Sequence, residues 1–584
     1  MSYRYLVLLD AKDGTDREHH GPLHEALTDA RMTSHRIGNV ATLYVSEDTP
    51  VLRLVGGSVV VGHVFSPEGA RITDELLQRH HNDNDAAIRQ ALLRDCWGEY
   101  VLFQPSKGGK HGVTAMREPS GGVRCLYQHG TSTPFITSDL GLAERLGLIE
   151  RRVDWDFMPH CLVHPHLKTE RSALLGVREL LPGCSVLLDG TRPTSTVEWS
   201  PWEFVIGSER PTGLAEAADS LRHTIGMVVK AWADTDRFVL LELSGGLDSS
   251  IVAACLGQTT ARVACCNLTT AVPGADEQQY ARLMSDRLGV ELHVDTLGFD
   301  DARFEFVPPS YAATPRVWML QYAADRSKAA LGETLGVVSY FSGGGGDSVF
   351  SYLTNATPAA DAWLSRGFGA GIAAIRDLSA LHQCTFWKAA RLTLRKSLGP
   401  PKAAVLTDTS FLSAAGMACA SADHPWLDPA ANALPGDRER VHELLNTQNF
   451  RDGNPRSARQ WLRMPLLSQP VVEACLRVPT WMWIAGGRNR SVARQAFADV
   501  LPAPILDRRS KGTYVNYSGA VFRRNKAAIR DFLLTGELEA HGLLDTTALQ
   551  RLFQGELPMG ETAFMRMYEL CMAENWARHQ SAAA

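Results

Sequence analysis

The 584-residue chain has no apolar stretch near the ~20 residues needed to cross a bilayer, which excludes a helical membrane span. Its opening residues, Met-Ser-Tyr-Arg-Tyr-Leu-Val-Leu-Leu-Asp, hold too short an apolar region for a secretory signal. There is no long basic run, and the net charge of −5 argues against nucleic acid as the main partner. Eleven cysteines are present, an odd and scattered set without a Cys-x-x-Cys pair, so no disulfide framework is expected and reduced cytoplasmic thiols fit best. Cys265 and Cys266 are adjacent in a β-prone run, so their side chains should point to opposite faces. The pairs His19/His20 and His80/His81 sit in polar sequence and lack zinc-ligand spacing. No Gly-Lys-Ser/Thr ending is found in the glycine loops, which sets aside a Walker loop and simple γ-phosphate transfer.

What is present is ordinary for a soluble globular protein, with 45% apolar and 21% charged residues. The length exceeds one hydrophobic core, so two or three domains are expected. The stretch that organises the rest is 238–255. An apolar, β-prone run, Phe238 to Leu243, enters Ser244-Gly245-Gly246-Leu247-Asp248-Ser249-Ser250 and leaves through small and apolar residues. This spells a buried strand, a tight loop and a helix N-terminus. The glycines permit close approach of backbone to a ligand. The hydroxyls and N–H groups of Ser244, Ser249 and Ser250 are expected to converge where the helix dipole favours an anion. Asp248 in that cradle would repel phosphate unless a cation lies between them, which places Mg²⁺ there.

A second loop follows the β-prone run 336–341. It reads Ser342-Gly343-Gly344-Gly345-Gly346-Asp347. Further strand-like runs at 262–268 and 291–294 alternate with a helical pattern, which implies a parallel, doubly wound sheet with ligands at the carboxyl ends of its strands. Two acid-bearing loops at adjacent strand ends would hold one Mg²⁺–pyrophosphate unit between Asp248 and Asp347. Before residue 205, short β-prone runs at 5–9, 41–45, 51–61, 100–103, 113–116, 135–137 and 185–188 are separated by turns and suggest a β-rich sandwich.

The first loop resembles the pyrophosphate loop of ATP-pyrophosphatases, which split ATP into AMP and PPi. Residues 97–104, 117–127, 135–139 and 176–183 resemble, in order, strand and turn motifs of class II, Ntn-type glutamine amidotransferases. With the two glycine loops, the segments 463–473, 490–494 and Arg508-Arg509-Ser510-Lys511-Gly512 resemble the asparagine synthetase family, which includes β-lactam synthetase and the lasso-peptide macrolactam synthetases. The resemblance implies an amidotransferase-like domain over 1–205 and an adenylating domain over 206–584. It also implies ATP and Mg²⁺ as cofactors, Asp248 and Asp347 as metal ligands, and a catalytic role for Lys511 in stabilising charge on the acyl-adenylate. Asp248 and Asp347 are catalytic by the same token. The nucleotide would lie on Ser244, Gly245, Gly246, Leu247, Asp248, Ser249, Ser250, Ser342, Gly343, Gly344 and Gly345.

Three departures from asparagine synthetase matter. Ser2 stands where those amidotransferases expose a nucleophilic cysteine, so glutamine hydrolysis is not expected. The second loop carries Gly344 where that family has Glu, and four glycines promise a roomier site. Pro465-Leu466-Leu467-Ser468 replaces Pro-Phe-Leu-Asp. Together they imply a substrate that supplies its own amine, closest in character to a lasso-peptide cyclase. A leader-free precursor peptide would be the substrate and a leader-peptidase protein a partner. A β-lactam or asparagine-type synthetase acting on a small amino acid, and a non-catalytic peptide- or protease-binding scaffold, remain as competing readings. Tyr340, Tyr514 and Glu305 are the possible general bases, none singled out by spacing.

Overall fold

In the computed structural model of the protein, residues 3–10, 16–73, 85–106, 112–130, 133–207, 209–272, 277–400, 405–509, 512, 514–555 and 563–581 are described, with 16–20, 55 and 581 described for the backbone only. The N-terminal part is a sandwich of two six-stranded antiparallel sheets. One runs Val177–Glu179, Leu126–Gln128, Phe135–Thr137, Tyr5–Leu9, Ala41–Ser46, Met32–Ile37 in spatial order. The other runs Thr194–Val197, Cys184–Leu188, Val113–Arg117, Trp97–Pro105, Val59–Phe65, Val51–Arg53.

Period-2 alternation decides which residue faces which layer. Tyr5, Val7, Leu43 and Val45 meet Val59, Val61, Val101 and Phe103 between the sheets. Leu6, Leu8 and Tyr44 point outward and pack with Leu27 of the helix Asp16–Asp29. Val60, Tyr100 and Leu102 point outward on the other side, against Ile88 and Leu92 of the helix Asp85–Asp95. The result is helix, sheet, sheet, helix. The single run expected over 51–61 is two strands, because Gly56 and Gly57 take positive φ and turn the chain between Leu54 and Ser58.

The second body is a five-stranded sheet in the spatial order Leu292–Leu297, Arg262–Thr270, Phe238–Glu242, Ser339–Ser342, Trp461–Arg463, with every pairing parallel. The chain starts in the middle at Phe238–Glu242, builds outward one way, then crosses over and builds the other way. The point of reversal lies between Phe238–Glu242 and Ser339–Ser342, so the loops after these two strands emerge side by side. The latter strand begins at Ser339 rather than 336, because Gly336 takes a left-handed conformation to cap the helix Met319–Leu335.

The helix Leu214–Asp236 joins the two bodies. Its buried stripe, including Leu221, Ile225, Val228 and Trp232, packs into one core with Val239 and Leu241 of the parallel sheet and Phe65 and Trp97 of the sandwich. Phe65 stacks on Trp97 at 4.6 Å and meets Trp232 edge-on at 4.8 Å. A buried ion network closes the same junction. Arg463 binds Glu99 at 2.6 Å and Asp236 at 2.9 Å, and Arg451 binds Glu99 at 2.7 Å. Long helices fill the stretch between the last two strands and the C-terminal region, among them Thr357–Leu381, Phe386–Leu398 and Val515–Leu534. Among the described residues no helix is long and apolar enough to cross a membrane.

Candidate active site

The first loop turns through Gly245, whose φ is +78° and where a Cβ would stand 2.7 Å from Ala281 N and Tyr280 Cβ. Only glycine fits there. The helix Leu247–Leu256 then starts from a Gly246 cap, and its first-turn N–H groups face the strand end. The Ser244 and Ser249 hydroxyls lie 3.1 Å apart, and the Gly246 N–H donates to Ser244 Oγ at 3.3 Å.

The second loop is pressed onto the first. A Cβ on Gly343 would stand 2.6 Å from Ser249 N, and one on Gly346 would stand 2.5 Å from Asp248 Cγ. A Cβ on Gly344 would meet the Phe450 ring at 2.6 Å, and one on Gly345 would run into Leu467. The four glycines therefore do not open the site, as the sequence suggested. They let two loops and their neighbours come into contact, and Phe450 takes the space beside Gly344.

This contact brings Asp248 and Asp347 together. A single terminal nitrogen of Arg490, Nη1, donates to Asp248 Oδ1 at 2.9 Å, to Asp248 Oδ2 at 3.1 Å and to Asp347 Oδ1 at 2.8 Å. Asp248 is nearly enclosed, its side chain 10% exposed, whereas Asp347 is 42% exposed. Arg490 itself sits at φ +52°, a left-handed conformation that a non-glycine residue holds at a cost of about 1–3 kcal/mol. Two carboxylates that share one cationic atom are close enough to share a divalent cation, so the pair fits Mg²⁺.

Around them lies a cavity of about 270 Å³. Ser244, Gly246, Leu247, Asp248, Ser249, Ser342, Gly343 and Gly344 line it, joined by Glu242, Cys266, Glu277, Lys328, Arg490, Arg494, Arg508 and Gly512. Arg490 Nε and Arg508 Nε and Nη1 are buried donors without a partner among the described residues. Guanidinium groups lining a cavity together with loop amides and hydroxyls suit phosphate oxygens. Burial, helped by the charges of Arg490 and Arg488, pushes Arg494 down to about 10, which leaves it a cation at neutral pH.

Ser250 does not join this cradle. It is fully buried on the far side of the helix, since one residue's advance turns the side chain by about 100°. Gly245 and Gly345 shape the loops from behind the cavity wall. Lys511 and Ser2 lie outside the described residues, as do His80 and His81 and the side chains of His19 and His20; Gly512, next to Lys511, lines the cavity. All eleven cysteines are unpaired. Cys266 lines the cavity and Cys265 lies within the core, on opposite faces of their strand.

The chain matches the family model described as asparagine synthase over residues 220–578, more than half its length. The chain belongs to the asparagine synthase family. No curated protein matches it. Among solved structures, a glutamine phosphoribosylpyrophosphate amidotransferase from B. subtilis complexed with ADP and GMP is similar at 10% identity, covering 50% of this chain and 81% of that one with a TM-score of 0.20. A structure titled as the allosteric regulatory enzyme of purine biosynthesis is similar at 10% identity, covering 54% and 78% with a TM-score of 0.18.

Membership of the asparagine synthase family makes this an ATP-dependent, amide-forming ligase. The family uses ATP and typically Mg²⁺. In this member a second cavity, of about 500 Å³, adjoins the first and shares Leu268, Lys328 and Tyr514 with it. Trp318, Leu320, Phe450, Val515, Met565 and Met572 make its walls largely apolar. Of the possible bases, Tyr340 is buried in the core with its hydroxyl pushed up to about 12 by burial, and Glu305 is exposed and lines neither cavity. Tyr514 stands at the junction of the cavities, its hydroxyl donating to Leu268 O at 3.1 Å.

The sequence named the loops and Lys511 but gave no role to Lys328 or to the arginines that line the cavity. Arg490 and Arg494 stood in a motif quoted only for family likeness, and Arg508 beside Lys511. Glu277 accepts from both Arg508 and the Gly512 N–H, which ties the 508–512 loop to the start of the helix Gln278–Leu288. Lys328 pairs with Glu242 at 2.6 Å. The available signal was electrostatic: an enclosed carboxylate on one loop, with a second on the adjoining loop, calls for a nearby cation.

Proposed function

We propose that this enzyme closes an amide within one ribosomal peptide, activating an Asp or Glu side chain for attack by the peptide's own N-terminal amine, as a lasso-peptide cyclase does. The observation that carries the reading is the apolar cavity of about 500 Å³ opening onto the nucleotide cleft. Its volume is in the range for ligands far larger than one amino acid, and its Trp, Phe, Leu and Met walls suit a folded peptide better than free aspartate.

The phosphates of ATP lie on Ser244, Ser249 and the amides of both loops, with Arg490 and Arg508 of the cavity lining supplying positive charge. Mg²⁺ held by Asp248 and Asp347 would screen the phosphate charge. The peptide carboxylate attacks the α-phosphorus, and the bond to pyrophosphate breaks. The amine then attacks the acyl carbon, AMP leaves with the bonding electrons, and the amine proton passes to solvent. Lys511, beside the cavity-lining Gly512, is proposed to stabilise the charge that builds on the acyl group. Holding carboxylate and amine in one pocket makes the second step effectively unimolecular. A leader-peptidase protein would deliver the shortened peptide.

The test is pyrophosphate release with a leader-free precursor peptide, with mass spectrometry for the loss of one water. Release with aspartate and ammonia instead would move the assignment to a small-substrate synthetase. No release with any carboxylate would favour a scaffold, and cleavage of ATP to ADP and phosphate would overturn the adenylation chemistry.

A further inference from the structure

His160 and His164 are one helical turn apart on and just after the short helix Met158–Val163, so their rings fall on the same side. Their centroids are 4.8 Å apart. Cys419, far along the chain in the segment after the helix Ala414–Met417, comes to meet them, its Sγ 4.0 Å from His164 Nε2. One donor atom from each of the three lies within 4.8 Å of the others, and among the described residues no other group of His, Cys, Asp or Glu does this. Both imidazoles are more than nine-tenths buried; His160 Nε2 and His164 Nδ1 make no well-formed hydrogen bond, with the backbone of Ala420 close to His160 and that of Leu406 close to His164. Buried polar atoms left bare are costly unless something satisfies them.

We propose that His160, His164 and Cys419 form a zinc site. Two imidazoles and a thiolate match the donor preference of Zn²⁺, with the fourth tetrahedral position left to water. Bonds of about 2.0–2.1 Å to nitrogen and 2.3 Å to sulfur put tetrahedral donors ~3.3–3.6 Å apart, so donors that now lie within 4.8 Å of one another close up by at most roughly 1.5 Å on binding. Cys419 gives up its proton on binding. The Phe157 ring stacks on His160 at 4.8 Å and shields that side from water.

The site also has a structural consequence. It ties the helix Met158–Val163 to the segment around 419, and His164 leads directly into Pro165 and His166, which line the apolar cavity. Zinc would thus fix one wall of the pocket from behind. This holds whether or not the occupant of that pocket is a peptide.

The experiment uses the full chain, stripped with a chelator and dialysed against Zn²⁺, with metal content by mass spectrometry. About one zinc per wild-type chain is expected, retained in Asp248→Asn but lost in His160→Gln and in Cys419→Ser. Co²⁺ in place of Zn²⁺ should give a thiolate charge-transfer band in the near ultraviolet, absent in Cys419→Ser. Circular dichroism identifies any variant that fails to fold, and the cobalt band of the wild type needs no variant. Equal zinc content in wild type and both ligand variants, or a cobalt-loaded wild type without the band, overturns the proposal.

Discussion

Arg490 stands where a divalent cation would stand, so its removal should tighten metal binding to the empty enzyme. The guanidinium makes three contacts of 2.8–3.1 Å to two carboxylates through one nitrogen. A hydrogen bond to a charged group contributes about 1.5–3 kcal/mol. Here the donor is shared, and the Asp347 side chain is 42% exposed, so solvent screening cuts that half of the interaction to a fraction of a kcal/mol. About 2 kcal/mol for the whole arrangement is a reasonable figure. A cation that enters must displace Arg490 and forfeit that energy. In Arg490→Met that interaction is not there to be forfeited. Since 1.4 kcal/mol is tenfold, the variant should bind Mn²⁺, used as a paramagnetic probe for Mg²⁺, about thirtyfold more tightly without nucleotide. With ATP present the advantage should vanish or reverse, because the variant also loses a donor to phosphate. The assay is Mn²⁺ titration followed by electron paramagnetic resonance, with and without a non-hydrolysable ATP analogue. Unchanged or weaker Mn²⁺ binding by the nucleotide-free variant would refute the idea that arginine and metal compete for one pair of acids.

Gly343→Ala should lower pyrophosphate release at least tenfold with unchanged circular dichroism, since its Cβ would stand 2.6 Å from Ser249 N and overpacking by about 1–3 kcal/mol must displace one loop; full activity would show the loops are not in register for catalysis. Glu99→Gln strips Arg451 and Arg463 of a shared buried carboxylate. Burial alone would raise the pKa of Glu99, but Arg463 and Arg451 hold it below the usual range, and a loss of about 3–5 kcal/mol in denaturant unfolding is expected; an unshifted midpoint would contradict the junction described above. Glu118 is fully buried, and burial raises its carboxyl to about 7, against the pull of Arg451 and the Gly122 N–H. Between pH ~4.5 and ~7 the folded chain therefore holds a proton that the unfolded chain has lost, and stability should fall as pH rises through that window, by up to about 3 kcal/mol. Glu118→Gln should flatten this slope when unfolding midpoints are compared across pH, and an identical slope would remove Glu118 as its source.

Local patterns announce what local forces decide. The strand Phe238–Glu242 is apolar through Leu241 because the sheet buries its middle on both faces, and Gly245 is legible because the turn admits no side chain. The alternation of Tyr5, Leu6, Val7 and Leu8 between two cores likewise announces a sheet with two covered faces. The helical stretches between 357 and 398 and beyond 515 left a weaker trace, since their register is set by what they pack on rather than by periodicity alone. The candidate site divides along the same line. Its glycines and acids sit in two contiguous loops and can be read in one dimension. Its cations come from positions 328, 490, 494 and 508, and only the reversal of strand order at the sheet centre gathers them. Gly344 shows the consequence most plainly. As a letter in a run of four it suggested empty space, but its neighbour is the Phe450 ring from a helix a hundred residues away. A loop that loses a carboxylate and gains an aromatic wall becomes less polar rather than larger. The character of the site is thus set by the segment that packs against the loop as much as by the loop itself.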